Sequence, residues 1–179
     1  MTDIPDENST IGCSLCCLEG NIYLVGGDVG HGPGSRVSEY NPRTNTWRNL
    51  PCLQQERSVP NVCTLDNKIF VMGGDYNVTS CEMLDMSDDD PQWRYISKMN
   101  SDHFTGGAVV VEKKIYVLGG YEANNDEVYD VDKGILMEYL QTIVIDIYRS
   151  VEHCDQHANS EISARCSCTQ QQNICYWWL

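Results

Sequence analysis

Cysteine and histidine side chains are the groups in this chain that could bind a metal ion, since thiolates and imidazoles are the usual zinc ligands. The 179 residues include 10 cysteines and 4 histidines. Several lie close together near the end of the sequence, namely His153, Cys154, His157, Cys166, Cys168 and Cys175. Their spacing does not give the two closely spaced pairs that structural zinc sites use, so the sequence predicts no metal site.

Two loops could bind other ions. Gly30, Gly32 and Gly34 alternate as in a phosphate cradle, but no helical pattern and no Lys-Ser/Thr follow them. The segment Ser87-Asp88-Asp89-Asp90-Pro91 brings carboxylates together, but it lacks the glycine and terminal glutamate of a calcium-binding EF-hand. We interpret both segments as solvated surface loops and predict no cofactor.

Catalytic groups are not concentrated in the sequence. The four histidines, listed by position, are scattered along the chain: His31, His103, His153 and His157. No nucleophile–base pair or carboxylate pair stands out by spacing. The sequence therefore indicates a non-catalytic protein.

The charge balance narrows the classes of partner. Lys and Arg number 12 against 26 Asp and Glu, for a net charge of −14. This charge opposes binding to nucleic acid or to an anionic membrane. Residues 1–6 are polar and acidic, without the apolar region of a secretory signal. We therefore expect a cytoplasmic protein with reduced cysteines, of which Cys13, Cys17 and Cys63 are interpreted as small buried hydrophobic residues.

A repeated apolar segment organises the chain. It occurs as Ile22-Tyr23-Leu24-Val25-Gly26-Gly27 and again at residues 69–74 and 115–120, so the double glycines recur 47 and 46 residues apart. Each copy follows a turn and another apolar run, which predicts a β-hairpin whose second strand is buried on both faces. A third strand and, after a turn, a fourth follow each hairpin. Four short strands in each period are typical of a β-propeller blade.

The end of the chain follows a different pattern. The repeats occupy residues 7–136, divided at about 7–51, 52–99 and 100–136, and the repeat pattern stops after Lys133-Gly134. Paired apolar residues then recur every four positions, which predicts an amphipathic helix over about residues 135–153. We expect residues 137–179 to form a non-repeat tail that is loosely ordered after the helix.

The repeats resemble the kelch motif, in which a double glycine is followed by an aromatic or leucine and then by a tryptophan. Tyr40 and Trp47 occupy these positions in the first repeat, and Leu84 and Trp93 in the second. The third repeat has Tyr129, with Leu136 in the tryptophan position. The segment 40–47 looks especially similar to the kelch-like (BTB-BACK-kelch) proteins. The double glycines are Gly26, Gly27, Gly73, Gly74, Gly119 and Gly120.

This resemblance implies an all-β fold, a partial kelch β-propeller of three four-stranded blades in an incomplete ring. Kelch-like propellers usually have six blades, so two blade faces would be left open. The chain would then be a truncated or spliced product, would pair with another propeller half or with itself through the open blades, or would cover the third blade with the predicted helix. We expect truncation or splicing, with partial covering by the helix.

The resemblance also implies where a partner binds. In kelch-like proteins a partner segment docks on a rim made of the loops after the second strands and the connections between blades. The matching positions are Asp28, His31, Arg57, Asp75, Tyr76, Asn77, His103, Tyr121, Glu122 and Asn124. Many family members have Arg 16 residues before the double glycine, where this chain has Thr10, Arg57 and His103. Because this rim is acidic and aromatic, we expect a basic or polar partner segment.

The function implied is that of a non-catalytic protein–protein interaction module. Kelch-like proteins often act as substrate receptors of cullin-type ubiquitin ligases through BTB and BACK parts that precede the propeller. Because the repeats begin close to Met1, we expect client binding without that ligase-binding part. The alternatives are an actin-associated kelch protein, which the negative charge opposes, and an enzyme like galactose oxidase or sialic-acid epimerase, which the scattered histidines oppose.

Overall fold

The fold consists of three four-stranded antiparallel sheets, which we call blades 1, 2 and 3. The structure is a computed structural model that describes residues 10–28, 30–75, 77–121, 123 and 125–139. Blade 1 contains β1 (Ser14–Leu18), β2 (Asn21–Val25), β3 (Val37–Asn41) and β4 (Thr46–Asn49). Blade 2 contains β5 (Asn61–Leu65), β6 (Lys68–Met72), β7 (Cys81–Asp85) and β8 (Arg94–Ile96). Blade 3 contains β9 (Gly107–Val111), β10 (Lys114–Leu118), β11 (Asp126–Asp130) and β12 (Ile135–Tyr139). The all-β prediction and the three four-stranded blades are confirmed.

Two-residue turns close the first hairpin of every blade. In blade 2, Leu65 pairs with Lys68, and Asp66 and Asn67 between them have φ values of 48° and 58°. Left-handed conformations at both central positions match the right-handed twist of the flanking strands. Blade 3 makes the same turn with Glu112 and Lys113, so the hairpin geometry is kept without a glycine.

The double glycine ends the second strand of each blade where the chain must turn close to another segment. Gly73 has a φ of 61°. A Cβ atom at Gly73 would overlap the carbonyl oxygen of Asp102, in the connection to blade 3. Both the conformation and the close approach therefore require glycine at this position.

The hydrophobic core lies between the blades. Ile69, Val71 and Leu84 of blade 2 pack against blade 1, and alternate residues such as Phe70 and Met72 pack against blade 3. The β6 strand is buried on both faces, as predicted for the repeated apolar segment. In blade 3 the aromatic ring of Tyr129 lies 6.2 Å from that of Phe70, centroid to centroid.

The fourth strand of blade 3 corrects two predictions about the end of the repeats. Residues 135–139 form β12, and Leu136 pairs with Tyr129 as Trp47 pairs with Tyr40. The repeat therefore continues past Gly134, and the predicted helix does not begin at residue 135. Residues 135–139 alone are too few to tell a helical period from a strand, and pairing with the edge of β11 stabilises the strand. The rest of the predicted helix and the tail lie outside the described residues.

The cysteines of the inner strands differ in exposure. Cys63 is buried, as predicted, and burial raises the pKa of its thiol. Cys13 is half-buried, and Cys17 is exposed, so its assignment to the core was wrong. In the described part of the chain, no helix has the length and apolar character that crossing a membrane requires.

Candidate functional site

The loops and connections that follow one edge of the blades form a continuous band, which we call the rim. Its members are the described residues of the loops 28–36, 75–80 and 121–125, which follow the double glycines, and the connections 10–13, 50–60 and 97–106, which lead into β1, β5 and β9. Loops on a rigid array of sheets are the usual positions of binding residues. The tight turns of the hairpins lie at the opposite edge of each blade.

Hydrogen bonds join these six segments in order around the rim. The Asp28 amide donates to the carbonyl of Ile11 at 2.6 Å, and the Arg57 amide donates to that of Gly34 at 2.9 Å. The Asp75 amide donates to the Ser58 carbonyl at 3.0 Å. The remaining links connect Asn77 N with Asp102 Oδ2 at 2.8 Å and Tyr121 N with the Phe104 carbonyl at 2.8 Å. Each loop is thereby fixed to a connection, so the rim is a single braced surface.

A polar residue of each connection binds the carbonyl of the first glycine of its own double glycine. Thr10 Oγ1 donates to Gly26 O at 3.3 Å, and Arg57 Nη1 donates to Gly73 O at 2.7 Å. His103 Nδ1 lies 2.6 Å from Gly119 O. These three residues are the ones that occupy the arginine position of the repeat. Their shared contact shows that the position serves to fix the double-glycine turn.

Arg57 is fully buried in a charged network inside blade 2. Its Nη2 lies 2.9 Å from Glu82 Oε1, and neither side chain is exposed to solvent. The guanidinium also donates to the carbonyl and hydroxyl oxygens of Ser80, at 2.8 and 2.7 Å. Glu82 accepts the backbone amides of Gln54 and Gln55 at 2.7 and 3.2 Å. The pair therefore ties the connection 50–60 to β7, with its charges satisfied in low-dielectric surroundings.

His103 and Glu127 repeat this arrangement in blade 3. His103 Nε2 lies 3.1 Å from Glu127 Oε1, and Glu127 accepts the amides of Asn100 and Ser101. Both ring nitrogens of His103 face an acceptor, which fits the doubly protonated imidazolium. Burial lowers the pKa of His103, but hydrogen bonds to Glu127 and Gly119 outweigh it and raise the pKa above 6.5. Burial likewise raises the pKa of Glu127, but His103 and the two amides outweigh it and hold the pKa below 4.5.

Blade 1 replaces both members of the pair with neutral residues. By strand register, Ser38 occupies the position of Glu82 and Glu127, because it pairs with Leu24 as they pair with Val71 and Val117. Thr10 occupies the arginine position opposite it. Where the cation is absent, the buried carboxylate is absent too, which avoids an unpaired buried charge.

The predicted contribution of Arg57 and His103 to partner contact needs correction. Both side chains are fully buried and bind groups inside the protein. They therefore stabilise the rim from within and are not exposed on its surface. Their glutamate partners, Glu82 and Glu127, were not predicted from the sequence. A signal was present, since Glu82 and Glu127 occur at the same position of two third strands, on a face that is otherwise apolar.

The other predicted rim residues lie on the loops. Asp28 Oδ1 accepts the amides of Gly30 and Gly32 at 2.7 and 3.1 Å, and Asp75 Oδ2 accepts that of Ser58 at 2.9 Å. His31 and Asn77 are exposed, and Tyr121 is 56% exposed. Asp28, His31, Asp75, Asn77 and Tyr121 thus lie on the loops of the rim. Tyr76, Glu122 and Asn124 lie outside the described residues.

On the described rim, four acidic side chains, Asp28, Glu56, Asp75 and Asp102, outnumber the two exposed basic ones, Arg36 and Lys98. Asp28, Asp75 and Asp102 each accept a backbone amide on the rim. The positive charge of Arg57 is neutralised by Glu82 inside blade 2. Such a surface attracts positively charged segments and repels acidic ones.

Metal ligands are not grouped in the part of the chain that the structure describes, where no three His, Cys, Asp or Glu side chains come together in a way that could hold an ion. The cysteines and histidines from residue 153 onwards lie outside that part.

Comparison with known proteins finds the same repeats. The family model described as the kelch motif matches residues 10–54 and 57–100. A putative F-box/kelch-repeat protein of Arabidopsis thaliana is 31% identical over 138 residues, which cover 75% of this chain and 46% of that protein. Kelch-like protein 23 of Pongo abelii is 32% identical over 116 residues, covering 60% of this chain and 19% of the relative.

A third relative matches over a similar number of residues. Kelch domain-containing protein 7A of Mus musculus is 29% identical over 124 residues, covering 67% of this chain and 16% of that protein. The chain spans less than half the length of these curated relatives.

Proposed function

The chain carries kelch repeats, and we propose that it is a non-catalytic protein-interaction module that binds a basic or polar segment of a partner protein on its rim. The observation that carries this proposal is the unbroken series of hydrogen bonds that joins the loops and connections. A braced surface loses little conformational entropy on binding, which favours affinity.

The charge and the exposed aromatic ring of the rim support this class of partner. Its aspartates carry negative charge, and Tyr121 is an exposed aromatic side chain of the type that often dominates binding energy at interfaces. A segment with Lys or Arg next to an apolar residue would use both features.

The test uses two pools of unstructured peptides, one rich in Lys and Arg and the other rich in Asp and Glu, with binding to the full chain measured by fluorescence polarisation. We expect binders from the basic pool, with affinities that fall as salt is added. Tyr121→Ala should weaken binding at least about fivefold. Asp75→Asn, which keeps an acceptor for the Ser58 amide, should also weaken it.

The matched control is Asp132→Asn. Its side chain is 70% exposed in the turn between β11 and β12, at the edge opposite the rim. It removes the same charge and should leave binding unchanged. Preferential binding of the acidic pool, or equal effects of Asp75→Asn and Asp132→Asn, would contradict the proposal.

A narrower proposal is that the partner is a client of a ubiquitin-ligase substrate receptor. It is supported by the resemblance to kelch-like proteins and by the relatives whose names combine F-box with kelch repeats. The chain would then bind a client that a longer relative also binds. In a pull-down with Kelch-like protein 23 as bait, adding this chain should displace part of the captured proteins. If no captured protein also binds this chain, the narrower proposal fails, while rim binding remains to be judged by the peptide test.

A further inference from the structure

Each blade has two faces with different neighbours. We call the face that packs on the preceding blade the front face and the face that packs on the following blade the back face. In blade 2 the front face contains Ile69, Val71, Leu84 and Trp93, and the back face contains Cys63, Phe70, Met72 and Cys81. Both faces of blade 2 are covered by its neighbours within the described residues.

The front face of blade 1 contains the matching residues but is more open. Ile22, which matches Ile69 and Ile115, is half-buried, whereas those two are fully buried. Leu15 on the same face is 47% exposed. An apolar face that is covered in two blades and open in the third is a candidate interaction surface.

The back face of blade 3 is open only in part, because Val128, which pairs with Tyr116 on this face, is fully buried. Its Tyr116 occupies the position of Tyr23 and Phe70, which are 2% and 1% exposed at the two internal junctions, but Tyr116 is only half-buried. Val111 on this face is 38% exposed. The described residues thus contain both halves of a blade junction, at opposite ends of the array.

The indole N–H groups of Trp93 and Trp47 differ in their hydrogen bonding. In blade 2, Trp93 Nε1 donates to the carbonyl of Pro51, in the connection that follows β4 of blade 1, at 2.8 Å. Trp47 has the same position in blade 1 and packs against Tyr40 at a tilted angle, with ring centroids 4.9 Å apart. Its Nε1 is buried and, within the described residues, has no hydrogen-bond partner. Such a donor is costly to leave unpaired, and the matching donor of Trp93 is satisfied by the connection that follows the preceding blade.

We propose that the front face of blade 1 binds the back face of blade 3 of a second copy of this chain. The second copy is the occupant because its back face carries the same class of residues that cover the front faces of blades 2 and 3. The contact is head-to-tail, so two copies can join through two identical junctions or continue as an open array. It is independent of partner binding on the rim, because the rim lies at the strand ends and the junction lies on the sheet faces.

The test measures the mass of the full chain in solution by analytical ultracentrifugation over a range of concentrations. We expect the unmodified chain to associate. Leu15→Asp and Val111→Asp each place a charge in every head-to-tail junction, so each should weaken association at least about tenfold. Mixing the two variants should restore a one-to-one complex, because Leu15→Asp keeps an intact blade 3 face and Val111→Asp keeps an intact blade 1 face.

Tyr95→Asp is the matched control. Tyr95 is 53% exposed on β8 of blade 2, which contributes no open face, so this variant should associate like the unmodified chain. Circular dichroism checks that each variant is folded. Trp47→Phe provides a second measurement, since it removes the unpaired donor, and it should weaken association a few-fold without lowering the stability of the single chain.

Three results would overturn the proposal. The first is an unmodified chain that stays monomeric at all concentrations, as expected if another segment of the chain covers these faces. The second is association that Leu15→Asp and Val111→Asp leave intact. The third is a mixture of the two variants that forms no complex.

Discussion

At the scale of single residues, the buried polar pairs determine how the connections are held. Arg57 and Glu82 satisfy each other and several backbone groups without exposure to solvent. Removing one member of a buried ion pair leaves the other charge uncompensated, whereas removing both is tolerated much better. Blade 1 shows the neutral alternative, with Thr10 and Ser38 in the same two positions.

The first prediction copies that alternative into blade 2. Arg57→Thr should lower the free energy of unfolding by about 3–5 kcal/mol, because Glu82 is left buried and unpaired. The double variant Arg57→Thr with Glu82→Ser should be more stable than Arg57→Thr alone. Urea unfolding of the three proteins measures both values. A double variant that is no more stable than the single variant would show that the carboxylate is not the source of the cost.

The second prediction concerns the dependence of stability on pH. The pKa of His103 is raised above 6.5 in the folded protein, so its stabilisation is complete below pH 6.5 and is lost as the pH rises through the folded pKa. The pKa of Glu127 is lowered below 4.5, so its stabilisation is present above pH 4.5 and is lost as the pH falls through the folded pKa. The pair should therefore stabilise the fold most between pH 4.5 and 6.5.

The control for this prediction is His103→Arg, which copies Arg57 and does not titrate in this range. Urea unfolding between about pH 6 and pH 9 spans the ordinary His pKa and the region above it. Over this range the free energy of unfolding should fall less with rising pH in the variant than in the unmodified chain. Identical profiles would mean that His103 is not protonated in the folded state.

At the scale of the elements, the hairpins and double glycines were predictable because their signals are local. Turn residues between apolar runs specify the β1–β2, β5–β6 and β9–β10 hairpins, and the period of the double glycines specifies the blades. The β12 strand was not predictable, because its apolar run is stabilised by the free edge of β11. At the site, the positions of the loops were predictable from the repeat. The burial of Arg57 and His103 was not, because it depends on glutamates 24 or more residues away in sequence.

The third prediction compares two glycines at the same place in two blades. Gly73 and Gly119 have φ values of 61° and 64°, so alanine is strained at both, at a cost of about 1–2 kcal/mol. A Cβ at Gly73 would also overlap the Asp102 carbonyl, whereas a Cβ at Gly119 has no neighbour within 4 Å in the described structure. Gly73→Ala should therefore be clearly more destabilising than Gly119→Ala in thermal unfolding. Equal losses would indicate that the connection to blade 3 moves away freely.

At the scale of the whole molecule, stability should depend on how many faces of a blade are covered. In an array of repeats each unit is stabilised mainly by its neighbours. The β6 strand of blade 2 is buried along both faces, whereas in β10 of blade 3 buried residues alternate with half-buried ones. Blade 2 has two neighbours, and blades 1 and 3 each have one within the described residues.

The last prediction is a ranking of amide hydrogen exchange. Amides of β6 should exchange slowest, because opening them requires both junctions to separate, and those of β2 and β10 should exchange faster through partial unfolding of the outer blades. Raising the protein concentration should slow exchange in β2 and β10 and leave β6 almost unchanged if copies associate through the open faces. Mass spectrometry of peptides from the three strands measures this directly. Uniform protection that does not change with concentration would mean that the three blades unfold as one unit and that no second copy covers them.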